Sequence, residues 1–115
     1  MEQPETTRQL KVGRQLQRDL AEIFQQQGMS AYNGVMITVT SVRMSPDLAF
    51  AKVWLSIFPS DKGSEVLELL QKQVKTIRGA LGRRVAKQLR IVPELVFMVD
   101  DSLDYVERID ALLRS

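Results

Sequence analysis

Apolar residues in the second half of the chain return at steps of three and four: Val74, Ile77, Leu81, Val85 and Leu89. That is the stripe of a helix with one buried face. Val66, Leu67 and Leu70 extend it back towards Ser64, which can cap the helix, with Glu65 and Glu68 well placed near its positive end. A first helix carries the same signature. Leu10, Leu16, Leu20, Ile23 and Phe24, with Val12 at the margin, form its apolar side. Thr6 or Thr7 caps it, it runs to about Gln27, and Gly28 stops it. Met1 to Glu5 is read as a frayed end.

Between the helices the period changes to two. After an Asn33-Gly34 turn signal in the Ala31–Gly34 loop, Val35 to Met44 reads as a strand. Val35, Ile37 and Val39 take one face, and Met36, Thr38, Thr40 and Val42 the other. Ala49 to Phe58 is a second strand, in which Ala51, Val53, Leu55 and Ile57 alternate with Lys52, Trp54, Ser56 and Phe58. Ser45-Pro46-Asp47-Leu48 joins the two as an antiparallel hairpin, and Pro59 ends it for want of a ladder donor. Phe50, Trp54 and Phe58 share a face. Packing beneath a helix is the expected role of this aromatic row, ahead of base stacking.

Gly79 and Gly82 interrupt the long second stripe, each at a cost of about 1 kcal/mol relative to alanine. They predict a kink or a short helix-turn-helix, with a further helix from about Ala80 or Arg83 to Leu89, limited by Pro93. Leu95 to Val99 is a third strand. Asp101 or Ser102 caps a final helix with Leu103, Val106, Ile109 and Leu113 facing inward. The order is α-β-β-α-α-β-α. Three strands with helices on one face make an α+β fold, and the absence of repeats or linkers places residues 1–115 in a single domain.

Charge sharpens this picture more than composition does. The apolar share of 44% and the charged share of 26% are those of an ordinary globular domain, and the net charge is only +2. The distribution is uneven. Lys72, Lys75, Arg78, Arg83, Arg84, Lys87 and Arg90 succeed one another with no acid between Gln71 and Arg90. Arg8, Lys11, Arg14 and Arg18 share one side of the first helix. From Glu94 to Asp110 the balance reverses, with Glu94, Asp100, Asp101, Asp104, Glu107 and Asp110 against Arg108 alone. Either basic row by itself is a solvated face; together they fit a polyanion.

The chain has no cysteine and no histidine, which removes thiol chemistry, the commonest metal ligand and the usual general base near neutral pH. Asp100, Asp101 and Asp104 are read as a helix cap and not a metal cluster. No Walker loop, GxSxG or HExxH occurs. No enzyme activity, metal, cofactor or small-molecule substrate is expected. The polar start MEQPE is no targeting peptide and no apolar run reaches a membrane span, so a cytoplasmic protein is expected. Gly79-Ala80-Leu81-Gly82 is a GxxG followed by Arg83 and Arg84. In KH domains such a turn joins two helices and admits nucleic-acid phosphates to the backbone. The competing reading is two glycines in a bent helix.

Val42-Arg43-Met44-Ser45-Pro46-Asp47-Leu48, then Ala51-Lys52-Val53-Trp54-Leu55-Ser56, and Leu89-Arg90-Ile91-Val92-Pro93-Glu94-Leu95-Val96-Phe97 running into Asp100-Asp101-Ser102 resemble the ribosome-binding factor A family. The first helix, with Arg8, Val12, Arg14 and Leu16, is similar in pattern. The resemblance covers nearly the whole chain. It implies a type II KH-like domain with a three-stranded mixed sheet. It also implies a non-catalytic factor that binds 16S rRNA of the immature small (30S) ribosomal subunit near the decoding region and supports late processing and maturation. The family usually carries an Ala-x-Gly kink before an Ile-Arg pair. Here Ile77-Arg78 comes after Val74-Lys75-Thr76, which moves the expected bend to Gly79–Gly82.

The RNA-binding residues expected are Arg78, Gly79, Gly82, Arg83, Arg84, Lys87 and Arg90, with Arg8, Lys11, Arg14 and Arg18 as a second patch, in a chain acting as a monomer. The alternative is a protein-interaction module that uses its sheet or its acidic C-terminal helix.

Overall fold

The computed structural model describes residues 5–27 and 34–100. The elements are α1 (Thr7–Gln27), β1 (Met36–Met44), β2 (Phe50–Phe58), α2 (Gly63–Val85) and β3 (Glu94–Val99), with a 3-10 turn at Ser60–Lys62 leading into α2. The strand order is β1-β2-β3. β1 and β2 are antiparallel, whereas β3 runs parallel to β2, so the sheet is mixed. The expected α+β, KH-like architecture stands. The expected final helix at 101–115, residues 1–4 and the 28–33 turn region lie outside the described residues.

Thr6 opens α1 with a reciprocal cap. Its backbone N–H donates to Gln9 Oε1 at 2.7 Å, and its hydroxyl accepts from the Gln9 N–H at 3.2 Å. The Gln9 amide also donates to the Met44 carbonyl at 3.0 Å, which pins the helix start to the end of β1. Glu5, expected in the frayed end, accepts the Met44 N–H at 3.3 Å. Leu16, Leu20, Ile23 and Phe24 are buried, as the periodicity predicts. Phe24 meets Phe97 of β3 edge to face, with centroids 6.3 Å apart. Gly13 lets the helix settle on β1: a Cβ there would lie 2.8 Å from the Val42 carbonyl oxygen.

The hairpin is less regular than its sequence. Val39 pairs with Leu55, but the next pair is Ser41 with Trp54, so Thr40 is an extra residue. The Thr40 hydroxyl donates to the Trp54 carbonyl at 3.1 Å. Gln17 of α1 reaches the Val39 and Thr40 carbonyls at 3.4 and 3.2 Å. The bulge flips the facing of the remaining β1 residues. Val42 pairs with Val53 and Met44 with Ala51, and Val42 packs against the core beside Val39 instead of joining Met36 and Thr38 outside. At the hairpin turn, Leu48 adopts φ 61°. The Asp47 carboxylate accepts from the Ser45 hydroxyl and the Ala49 N–H at 2.7 and 3.1 Å, and these bonds hold its pKa below the ordinary value.

α2 corrects two expectations. It starts at Gly63, not after a Ser64 cap, and Lys62 ahead of it makes no side-chain capping bond. It then runs unbroken through Gly79 and Gly82 to Val85, so the expected separate helix from Ala80 or Arg83 to Leu89 is absent. Turns at 86–88 and bends at Arg90 and Ile91 lead instead to β3. Val66, Leu70, Ile77, Leu81 and Val85 are buried under α2. Both helices lie on one face of the sheet, where Ala51, Val53, Leu55 and Ile57 point into the core. The other face is helix-free among the described residues. Phe50 and Phe58, expected beneath a helix, are 53% and 71% exposed there.

Candidate nucleic-acid interface

α1 and α2 meet in an antiparallel sense on the outer side of the helical layer. One groove of about 380 Å3 lies between them, lined by Val12 and Leu16 from α1, by Val85 at the end of α2 and by Leu89 in the turn beyond it. Lys11, Arg14 and Arg18 form its α1 rim, with Gln15 and Gln88 beside them. Farther along α1, Ile23, Gln26 and Gln27 face Ala80, Arg83 and Arg84 across a second recess. An ion pair between Arg84 and Glu22 staples the two helices there. Lys11, Arg14 and Arg18 of the first basic row and Arg83 and Arg84 of the second therefore line one seam.

Arg8, Lys11, Arg14, Arg83, Lys87 and Arg90 are exposed, and none has an ion-pair or side-chain hydrogen-bond partner among the described residues. Arg18 is exposed and donates to Gln15 Oε1 at 3.0 Å; Gln15 Nε2 donates in turn to the buried carboxylate of Asp19 at 3.0 Å. This relay holds the Arg18 guanidinium at the groove.

Helix stability does not explain the α1 row. No acid occupies the first turn, where the helix dipole favours one, and Arg8 sits there instead. Like charges three and four apart destabilise a helix by about 0.2–0.5 kcal/mol per pair. Burying Leu16, Leu20, Ile23 and Phe24 returns roughly 1.5–3 kcal/mol each, so the fold tolerates the row without requiring it. Arg83 and Arg84 are different, because cations in the last turn of α2 also suit its dipole.

Three of the residues singled out in the sequence serve elsewhere. Arg78 donates from Nε to the Pro93 carbonyl at 3.0 Å and from Nη2 to the Val92 carbonyl at 2.8 Å, and its Nη1 lies 3.5 Å from Glu94 Oε1. It straps the segment before β3 onto α2. Gly79 and Gly82 lie inside the helix, so no open GxxG turn presents backbone donors there. Gly82 has a packing reason: a Cβ would stand 3.0 Å from Val92 Cγ2. Gly79 has none, its nearest neighbour being Arg83 Nη1 at 4.0 Å. The groove floor and the Gln15–Asp19 relay are not evident from the sequence reading. Their only signal there is the alternation of Lys11, Arg14 and Arg18 with Val12 and Leu16.

The family model for ribosome-binding factor A matches residues 8–113. Ribosome-binding factor A of Flavobacterium johnsoniae is 47% identical over 112 residues, covering 95% of this chain and 85% of the relative. The crystal structure of ribosome-binding factor A from Thermus thermophilus superposes with a TM-score of 0.66 at 30% identity, over 79% of this chain and 94% of that one. Coordinates for the Thermus thermophilus factor fitted into a cryo-EM map of a 30S complex give a TM-score of 0.66 at 29% identity, over 81% of this chain and 96% of that one. With this fold, this match along its length and this identity, the chain belongs to the ribosome-binding factor A family.

Proposed function

We propose that the protein is a non-catalytic assembly factor that binds the small ribosomal subunit in the cytoplasm as a monomer, through 16S rRNA, and supports its late processing and maturation. The observation that carries this reading is the α1–α2 seam. Lys11, Arg14 and Arg18 of α1 and Arg83 of α2 line it, exposed and without an ion-pair partner among the described residues, and phosphate backbones are bound by such surfaces. Family membership and the 30S complex of the Thermus relative point to the same partner. Arg8, Lys11, Arg14, Arg18, Arg83, Arg84, Lys87 and Arg90 make the contacts. Arg78 and Gly82 act from within, holding the segment before β3 close to α2, and Gly79 makes no such contact among the described residues.

A second reading has one observation in its favour. Met36, Phe50, Phe58 and Val96 are exposed apolar residues on the sheet face opposite α1 and α2, a surface suited to a protein partner. One experiment separates the two. Purified small subunits are titrated with the wild-type chain, with an Arg14→Glu/Arg18→Glu double variant, with Phe58→Ser and with Lys62→Glu. Lys62 is exposed at the opposite end of α2 and is paired with Glu65 at 3.7 Å. The double variant is expected to lose about tenfold or more in affinity, given several lost phosphate contacts, while Lys62→Glu and Phe58→Ser stay within about twofold. A silent double variant beside a weakened Phe58→Ser would transfer the site to the sheet.

A further inference from the structure

Phosphate docking needs exposed cations and nothing more. The groove between α1 and the end of α2 has more than that. Its lining is largely apolar, with Leu16 and Val85 fully buried and Val12 and Leu89 partly buried beside them. Its volume of about 380 Å3 falls in the roughly 300–1,000 Å3 range of sites that enclose small ligands. Among the described residues no acidic side chain lines it, and Lys11 and Arg14 stand on its rim without partners. Arg18 is held at the same rim by the Gln15–Asp19 relay. The Gln88 side chain has no partner among the described residues, and its amide offers both a donor and an acceptor.

A flat apolar body with polar edges, attached to negative charge on both sides, satisfies all of these features at once. We propose that the groove takes an unstacked nucleobase of single-stranded RNA. The base lies on Val12 and Leu89, the planar Arg18 guanidinium stacks on it, Gln88 meets its edge, and the flanking phosphates sit on Lys11 and Arg14. This deepens the RNA reading given above and rests on it. It adds a contact to bases, which phosphate-binding surfaces lack.

The test compares two probes on the full chain: a labelled oligouridylate of about twelve nucleotides and a linear polyphosphate of similar charge. The variants are Gln88→Ala, Leu89→Ser and, as a pure charge reference, Arg83→Glu. Gln88→Ala and Leu89→Ser are each expected to weaken oligouridylate binding by about fivefold or more, a modest share of what a base contact contributes. Polyphosphate binding stays within about twofold. Arg83→Glu weakens both probes. Gln88 is exposed beyond the helix end, so its variant keeps the test valid even where Leu89→Ser loosens the turn. If oligouridylate binding is untouched in both groove variants but reduced in Arg83→Glu, the RNA surface stands and the base site falls. Equal losses for the two probes also overturn the base site, since distortion of the surface would do that. If a Glu/Phe-rich peptide competes for the groove where oligouridylate does not, the occupant is a protein side chain. Absence of binding by either probe removes the RNA reading itself.

Discussion

Gly13 and Gly82 do the same work on different helices: each leaves out a Cβ where a neighbour comes close. At Gly13 the neighbour is a backbone carbonyl, Val42 O, which would lie 2.8 Å from the added carbon. A side chain could rotate away; this oxygen belongs to a strand in a ladder. Gly13→Ala is therefore expected to destabilise the protein by about 1–3 kcal/mol, the usual cost of overpacking, read as a lower midpoint in urea unfolding. An unchanged or higher midpoint would show that α1 does not sit where the structure places it. Single residues are unevenly legible in the sequence. The cap at Thr6 can be read because the capping pattern is local, with Gln9 three residues on. The close approach at Gly13 and the Arg78 strap to Val92 and Pro93 cannot. Both depend on a partner more than ten residues away, and a basic residue in a basic run shows nothing of where its guanidinium points.

Among the elements, α1 follows its periodicity except at Leu10, which is 43% exposed, β2 follows it throughout, β1 only as far as the bulge at Thr40, and α2 does not follow its glycines. Two glycines cost the helix about 2 kcal/mol in propensity, yet the stripe Ile77, Leu81 and Val85 remains fully buried across them. Burial of that stripe is worth more than the glycines cost, so tertiary packing keeps the helix whole. Gly79→Ala is expected to raise stability by roughly 0.5–1 kcal/mol, since its added methyl meets only the tip of Arg83. Gly82→Ala should gain less or lose, with Val92 Cγ2 at 3.0 Å. Thermal melting of the two variants checks this, together with small-subunit binding, which Gly79→Ala should leave intact. A loss of binding in that variant would restore the glycines as a contact site. The bulge at Thr40 is the other element-scale surprise. Alternation along VMITVTSVRM reads cleanly in either register, and the extra residue shows only through its pairing with β2 and its support by Gln17.

At the scale of the molecule, the helical layer and the opposite sheet face, which carries no helix among the described residues, present two chemistries. One is basic, grooved and built from two helices; the other carries exposed Phe50 and Phe58. Both basic rows are legible in the sequence because charge runs need no structure to be seen. Their placement along one seam is not, since it depends on the antiparallel meeting of α1 and α2 and on the Arg84–Glu22 pair. Binding of ribosomal RNA by charge at this seam is the function proposed. Co-sedimentation of the purified protein with small subunits, beside large subunits and across a salt series, tests it most directly. Selective binding to the small subunit is expected, falling by at least about a hundredfold between roughly 50 and 200 mM salt, as several phosphate contacts require. Binding that ignores salt, or that is equal for the two subunits, would contradict it.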